Sequence, residues 1–233
     1  MSYNITLFFV ELHNRVNEHL YVFPGGGSPI GFYMGLAREN LDWSKTQILI
    51  SDERLVGENN SISNIYMLKR HLINKIESDT VPQLLAFPYL KNQRVKYDNE
   101  DFLKKIITES LPEVCILGIG EDGHTASLFP YRSDFNNTKL SIVVKKNEED
   151  LNRVSLTYRF LSQAKRLAFI ISGEHKADIF QDILSGPYQP DKYPVQYFFK
   201  NYHNAIDIFC DKKAFKKLNQ NAVINEELKI DNF

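Results

Sequence analysis

The chain has 233 residues, 43% of them hydrophobic, and a formal net charge of -1. That length suits one α/β domain with an ample core, and the near-neutral balance excludes the charge footprint of a nucleic-acid or membrane-surface binder. No apolar run is long enough for a membrane span, and Cys115 and Cys210 form no CxxC pair, so reduced thiols in a cytoplasmic protein without a secretory signal are the expectation.

In chain order, Ile5, Phe8, Phe9, Leu12, Val16 and Leu20 recur at helical spacing and predict one amphipathic helix over residues 4–20. Tyr21 to Phe23 reads as a short strand running into Pro24-Gly25-Gly26-Gly27-Ser28-Pro29. Three successive glycines let backbone N–H groups approach a ligand closely. A helix from Ile30 to about Asn40 follows, with Pro29 at its start, and a glycine loop feeding a helix N-terminus suits an anion. The loop is neither a Walker loop nor a GxGxxG fingerprint, and it also fits a plain strand-to-helix turn.

Thr46 to Ile50 predicts the next strand, ending in Ser51-Asp52-Glu53-Arg54. Arg54 can clamp a phosphate or carboxylate through its fork of donors, or it can make a surface ion pair with Asp52 or Glu53. A polar turn from Glu58 leads to a helix marked by Ile65, Leu68, Leu72 and Ile76, capped by Ser63 or Asn64. Leu84 to Phe87 reads as a strand and Tyr97 to Ser110 as a helix.

The stretch Val114 to Pro130, VCILGIGEDGHTASLFP, carries the densest chemistry. Four apolar residues have the length and branching of a buried parallel strand. Gly118 and Gly120 then let the backbone turn tightly, and Glu121, Asp122, Gly123 and His124 follow within four positions. In an open α/β sheet, ligands bind at the carboxyl ends of strands, where this cluster falls. A carboxylate and an imidazole in one turn suit water activation. They also suit a polar turn in which Asp122 caps a helix and His124 is merely exposed.

Beyond it, Ser141 to Val144, Arg153 to Thr157, Arg166 to Ser172, Val195 to Phe199 and Ala205 to Cys210 read as strands, with a charged loop over Lys145 to Asn152. Ala177 to Leu184 reads as a helix, and Ala214 to Leu218 begins another. No repeat or linker divides the chain, so residues 1–233 are expected to form a single domain. Alternating strands and helices predict an α/β fold of three αβα layers around a mostly parallel, Rossmann-like sheet.

Three stretches together resemble the 6-phosphogluconolactonase family of lactone hydrolases: the Gly25 to Pro29 loop, SDER running into Ser63-Asn64-Ile65-Tyr66-Met67, and GIGEDGHTASLFP. Weaker likeness continues through RVSLT, IISGEHKADIF, PVQYFF and IDIFCDKKA. The resemblance implies hydrolysis of 6-phospho-D-glucono-1,5-lactone, with His124 as general base, Asp122 orienting it or polarising the lactone's hydroxyls, and Arg54 and the Gly25, Gly26, Gly27 and Ser28 loop on the phosphate. Asp52, Gly120, Gly123 and Arg153 complete the implied substrate site, with oxyanion donors in the Gly120 to Gly123 backbone or an arginine. It implies no cofactor and no metal, and a monomer or weak homodimer whose partner is a small sugar phosphate rather than nucleic acid or membrane.

Two departures from the family stand out. Only twenty-four residues precede the glycine loop, where the family usually has an additional strand and a longer helix, so an edge strand is expected to be lost. Gly27 replaces a larger residue. A related enzyme, glucosamine-6-phosphate deaminase, has a glutamate before the proline that closes the motif. Phe129 stands there in this chain and cannot transfer a proton.

Overall fold

The computed structural model describes residues 1–16, 19–57, 59–88, 99–132, 134–147, 151–218 and 228–232. In order, the elements are α1 Ser2–His13, β1 His19–Phe23, α2 Ile30–Leu36, β2 Thr46–Ile50, β3 Asp52–Arg54, α3 Asn64–His71, β4 Gln83–Leu85, α4 Asn99–Glu109 and β5 Val114–Gly118. There follow β6 Ser141–Val144, β7 Arg153–Leu156, α5 Tyr158–Leu161, β8 Leu167–Ile171, α6 Ala177–Ser185, α7 Gln196–Asn201, β9 Ile206–Cys210, α8 Lys212–Phe215 and β10 Leu228–Asn232.

Seven strands form one sheet in the order β10-β9-β8-β5-β1-β2-β4, and every pairing in it is parallel. The central strands β1, β5, β8 and β9 are buried on both faces and read as largely apolar runs. Their side chains still alternate between two cores. Leu20, Val22, Cys115, Leu117, Leu167 and Phe169 face one, with Leu103, Phe160, Phe180 and Phe198 from the covering helices. Tyr21, Phe23, Val114, Ile116, Ala168 and Ile170 face the other, with Ile5 and Phe9 of α1, Phe32 and Tyr33 of α2 and Leu68 of α3. This period-two division is the three-layer αβα arrangement expected from the sequence.

The chain moves outward from β1 to β2 and β4, then returns to the other side of β1 and continues through β5, β8, β9 and β10. β1 and β5 are therefore neighbours whose following loops diverge, which creates a crevice at their carboxyl ends. The glycine loop follows β1 and the Asp122–His124 turn follows β5. A separate three-stranded antiparallel sheet, β3-β7-β6, lies beyond this edge and pairs Asp52 with Ser155 and Arg54 with Arg153.

Several sequence expectations need correction. The first helix ends at His13 rather than reaching residue 20: Leu20 belongs to β1, where parallel pairing of His19 with Thr46 extends the strand backwards. Helices α2 and α3 stop at Leu36 and His71, short of Asn40 and Ile76. The expected start of α4 at Tyr97 lies outside the described residues, as do Glu58 and residues 148–150 of the charged loop.

Val195 to Phe199 is a helical turn and not a strand. Tyr197 N–H donates to Pro194 C=O at 3.2 Å and Phe198 N–H to Val195 C=O at 3.1 Å, so Val195 and Phe198 face the core one turn apart. A short apolar run carries both periodicities, and here the burial of Val195 and Phe198 in the core selects the helical one. β10, which the sequence did not suggest, is the strand that follows β9 in the chain and pairs with it at the sheet edge.

Candidate active site

A cavity of about 360 Å³ opens at the β1/β5 crevice. The glycine loop, Arg54 and Asn64, the turn after β5, Lys146, Arg153 and Lys176 line it. A larger cavity of about 520 Å³ lies among His19, Thr46, Gln47 and Glu109 at the amino ends of the strands. Volume alone therefore does not pick the site. The concentration of cations and unsatisfied N–H groups does.

The turn after β5 is built around two glycines. Gly120 N–H donates to His124 C=O at 2.8 Å and Gly123 N–H to Gly120 C=O at 3.1 Å. A Cβ on Gly120 would meet the His124 ring at 2.1 Å, and Gly123 takes a left-handed φ of 81°, which only glycine adopts at little cost. Within the Gly120 to Gly123 backbone expected to supply oxyanion donors, the two ends drop out. Both N–H groups are spent inside the turn, while those of Glu121 and Asp122 have no protein acceptor among the described residues. No helix follows, because residues 125–130 are turn and an isolated Thr125–Leu128 bridge, so Asp122 caps the turn and not a helix.

Asp122 Oδ1 accepts the His124 N–H at 3.2 Å and also bonds ring Nδ1. Lys146 Nζ sits 3.0 Å from Oδ2. Burial pushes Asp122 up, but these bonds to His124 and Lys146 outweigh it and hold the carboxyl well below the usual carboxylate range. An ionised carboxylate on Nδ1 makes that nitrogen the donor and leaves Nε2 with a free lone pair. Phe129 is 2% exposed. Its ring lies 5.1 Å from the imidazole, with the Arg153 guanidinium 5.3 Å and the Lys146 ammonium 5.8 Å from its centroid.

The opposite wall is the glycine loop. The N–H groups of Gly25, Gly26, Gly27 and Ser28 have no acceptor among the described residues, an arrangement that waits for an anion. Gly25 has a steric reason: a Cβ there would lie 2.2 Å from the buried Asn64 side chain. Asn64 Nδ2 in turn donates to Asp52 C=O at 2.7 Å, locking the loop to β3. Asp52 is buried, and its carboxylate accepts the Ser51 hydroxyl at 2.8 Å and the Ser127 hydroxyl at 2.6 Å. It joins the two halves of the site.

Arg54 makes no pair with Asp52 or Glu53. Its Nη1 donates to Ile62 C=O at 2.6 Å, and its buried Nε has no partner, so the guanidinium reaches the cavity with donors to spare.

Two contributors escaped the sequence reading. Lys176, just after β8, donates to Ile119 C=O at 2.7 Å and to the Ser28 hydroxyl at 3.3 Å. Burial holds it below the usual lysine range, against the pull of Glu121 and Asp211. A lone lysine after a predicted strand was the available signal. Glu53, 1% exposed, accepts the N–H groups of Arg54, Asn64 and Ile65 at 2.7–2.8 Å and the Ser63 hydroxyl at 2.9 Å. It caps α3 and so sets the position of Arg54. No local motif announces it.

With this geometry in place, comparison with known proteins is informative. The family described as Glucosamine-6-phosphate isomerases/6-phosphogluconolactonase matches residues 10–206. The chain is 27% identical over 221 residues to a 6-phosphogluconolactonase of Aggregatibacter actinomycetemcomitans, covering 89% of this chain and 91% of that one. Its fold is similar to that of the 6-phosphogluconolactonase of Trypanosoma brucei, with a TM-score of 0.76, 19% identity and 94% of each chain covered. It is also similar to a monomeric glucosamine-6-phosphate deaminase, with a TM-score of 0.74, 18% identity and coverage of 92% and 94%. Fold alone does not separate these two chemistries.

Proposed function

Because the chain belongs to the Glucosamine-6-phosphate isomerases/6-phosphogluconolactonase family, we propose that it is a hydrolase that opens 6-phospho-D-glucono-1,5-lactone to 6-phospho-D-gluconate, in the oxidative branch of the pentose phosphate pathway. The observation that carries the choice within the family is the Asp122–His124 pair backed by a buried phenylalanine. Phe129 has no proton to give, so the position before the motif's closing proline offers no second acid–base group to the His124 ring.

The phosphate occupies the Gly25 to Ser28 N–H groups, with Arg54 and Lys176 neutralising its charge. His124 Nε2 takes a proton from water as the water oxygen attacks the ring carbonyl. Asp122 holds the ring in the required tautomer and stabilises the imidazolium that forms. The tetrahedral oxyanion is met by the free Glu121 and Asp122 N–H groups. Collapse breaks the bond from the carbonyl carbon to the ring oxygen, which takes the proton back from the His124 imidazolium and restores the neutral base; the carboxylic acid formed loses its proton to solvent and leaves as the carboxylate. Asp52 acts through Ser51 and Ser127 by holding the site together, and Arg153 closes it over Phe129.

The protein works as a single cytoplasmic domain on a small sugar phosphate, as a monomer or weak homodimer. Among the described residues no helix is long and apolar enough to cross a membrane. The test is turnover by the purified chain, corrected for spontaneous lactone hydrolysis, beside an ammonia assay with glucosamine 6-phosphate. Lactone turnover without ammonia is expected. Ammonia release at a comparable rate would overturn the assignment.

A further inference from the structure

Asp122 divides its two oxygens between different tasks. Oδ1 holds the imidazole and the backbone of His124, while Oδ2 faces Lys146 at 3.0 Å. Lys146 arrives from outside this turn, on the connection after β6, so the antiparallel sheet delivers it to the carboxylate. Other charges face the same cavity: Glu121, whose carboxylate pairs with His175 at 3.5 Å, and Arg54, Arg153 and Lys176 from three further elements. Among the described residues, only His124 and Lys146 form an ion pair with Asp122.

A carboxylate beside an imidazole orients it but also stabilises its charged form, which is useless as a base. A cation on the carboxylate's far oxygen offsets that second effect and leaves the first intact. We propose that Lys146 is a positioning residue for the reaction: by pairing with Asp122 Oδ2 it fixes the carboxylate and draws off part of its field, so that His124 is oriented without being held protonated. The low position of the Asp122 carboxyl, to which Lys146 contributes, agrees with this. The inference rests on His124 being the general base.

The test uses the full chain with Lys146→Met and Lys146→Arg. kcat/KM is measured from pH 5.5 to 8.5, and the His124 ring is titrated by NMR, its signal assigned by its loss in His124→Asn. Lys146→Met should move the acid limb of the profile to higher pH by about 0.5–1 unit, with the ring titration moving the same way. Lys146→Arg should restore the wild-type limb. A loss in Lys146→Met that is equal at every pH, with the titration unmoved, would overturn the proposal. An upward move of the titration in a chain that does not hydrolyse the lactone would uphold the pairing and overturn the proposed function instead.

Discussion

The two ends of the parallel sheet treat histidine in opposite ways. At the carboxyl end, His124 sits on an ionised carboxylate in an open cavity, with Nε2 free. At the amino end, His13 closes α1 and His19 opens β1, and their rings stack with centroids 4.0 Å apart. His13 Nε2 donates to Asp42 C=O at 3.0 Å, which leaves its Nδ1 to accept from Tyr21 Oη at 3.2 Å. Tyr21 Oη can then accept from His19 Nδ1 at 3.0 Å. The chain of bonds closes only while the His13 ring is neutral, because its Nδ1 must accept, whereas His19 Nδ1 donates in either state. Burial lowers both, and His19 falls to about 4, with the charge of His13 adding to the effect and Asp42 opposing it. The same side chain thus sits on a carboxylate beside an open cavity at one end and packs in a stacked pair at the other.

The comparison can be broken most forcefully at His124. His124→Asn should leave the melting temperature within a degree or two and cut kcat by about 10²–10⁴-fold. Near-wild-type turnover would make His124 as inert as His13. Gly120→Ala offers a subtler approach, since its Cβ would meet the ring at 2.1 Å and push it from Asp122. Misplacement on the scale of 1 Å costs roughly 10²-fold, so kcat should fall by about that factor with little change in thermal stability. An unchanged kcat would show that the ring's position does not matter.

At the other end the expected effect is on stability. Because burial lowers His13 and His19 in the folded state, their neutral stack contributes fully above about pH 6.5, the unfolded value. That contribution is lost as pH falls through 6.5 toward the His19 value of about 4. His19→Phe keeps a stacked ring but does not titrate. Its melting temperature should drop less between pH 7.5 and pH 5 than that of the wild type, in paired calorimetric scans. Equal drops would place the acid sensitivity elsewhere.

The smallest effect is expected at Gly27, where an added Cβ meets nothing within 4 Å and φ is ordinary. Gly27→Ala should change stability by no more than about 0.5 kcal/mol and KM by about twofold at most. A tenfold rise in KM would mean that the sugar phosphate packs against the bare Cα.

What the sequence determined by itself was local. The limits of β2 and β6, a cap of α3 at Ser63 or Asn64 that the structure places on Ser63, the glycine loop and the Asp122–His124 turn all lie within a few residues of the groups that define them. Alternating strands and helices predicted the layered α/β fold, because period and turn chemistry are written in short windows. What only the tertiary structure decided depends on pairing across the chain. Val195 to Phe199 became helix because Val195 and Phe198 meet the core one turn apart, and β10 took the edge position beside β9. The β3–β7 register brought Arg54 beside Arg153, and the adjoining β6–β7 connection carries Lys146 to Asp122. Lys176 meets Ser28 across 148 residues, and Glu53 holds a helix that begins eleven residues later. Apart from the Glu53 cap, no short window of sequence contains such contacts, since the order of strands in the sheet creates them.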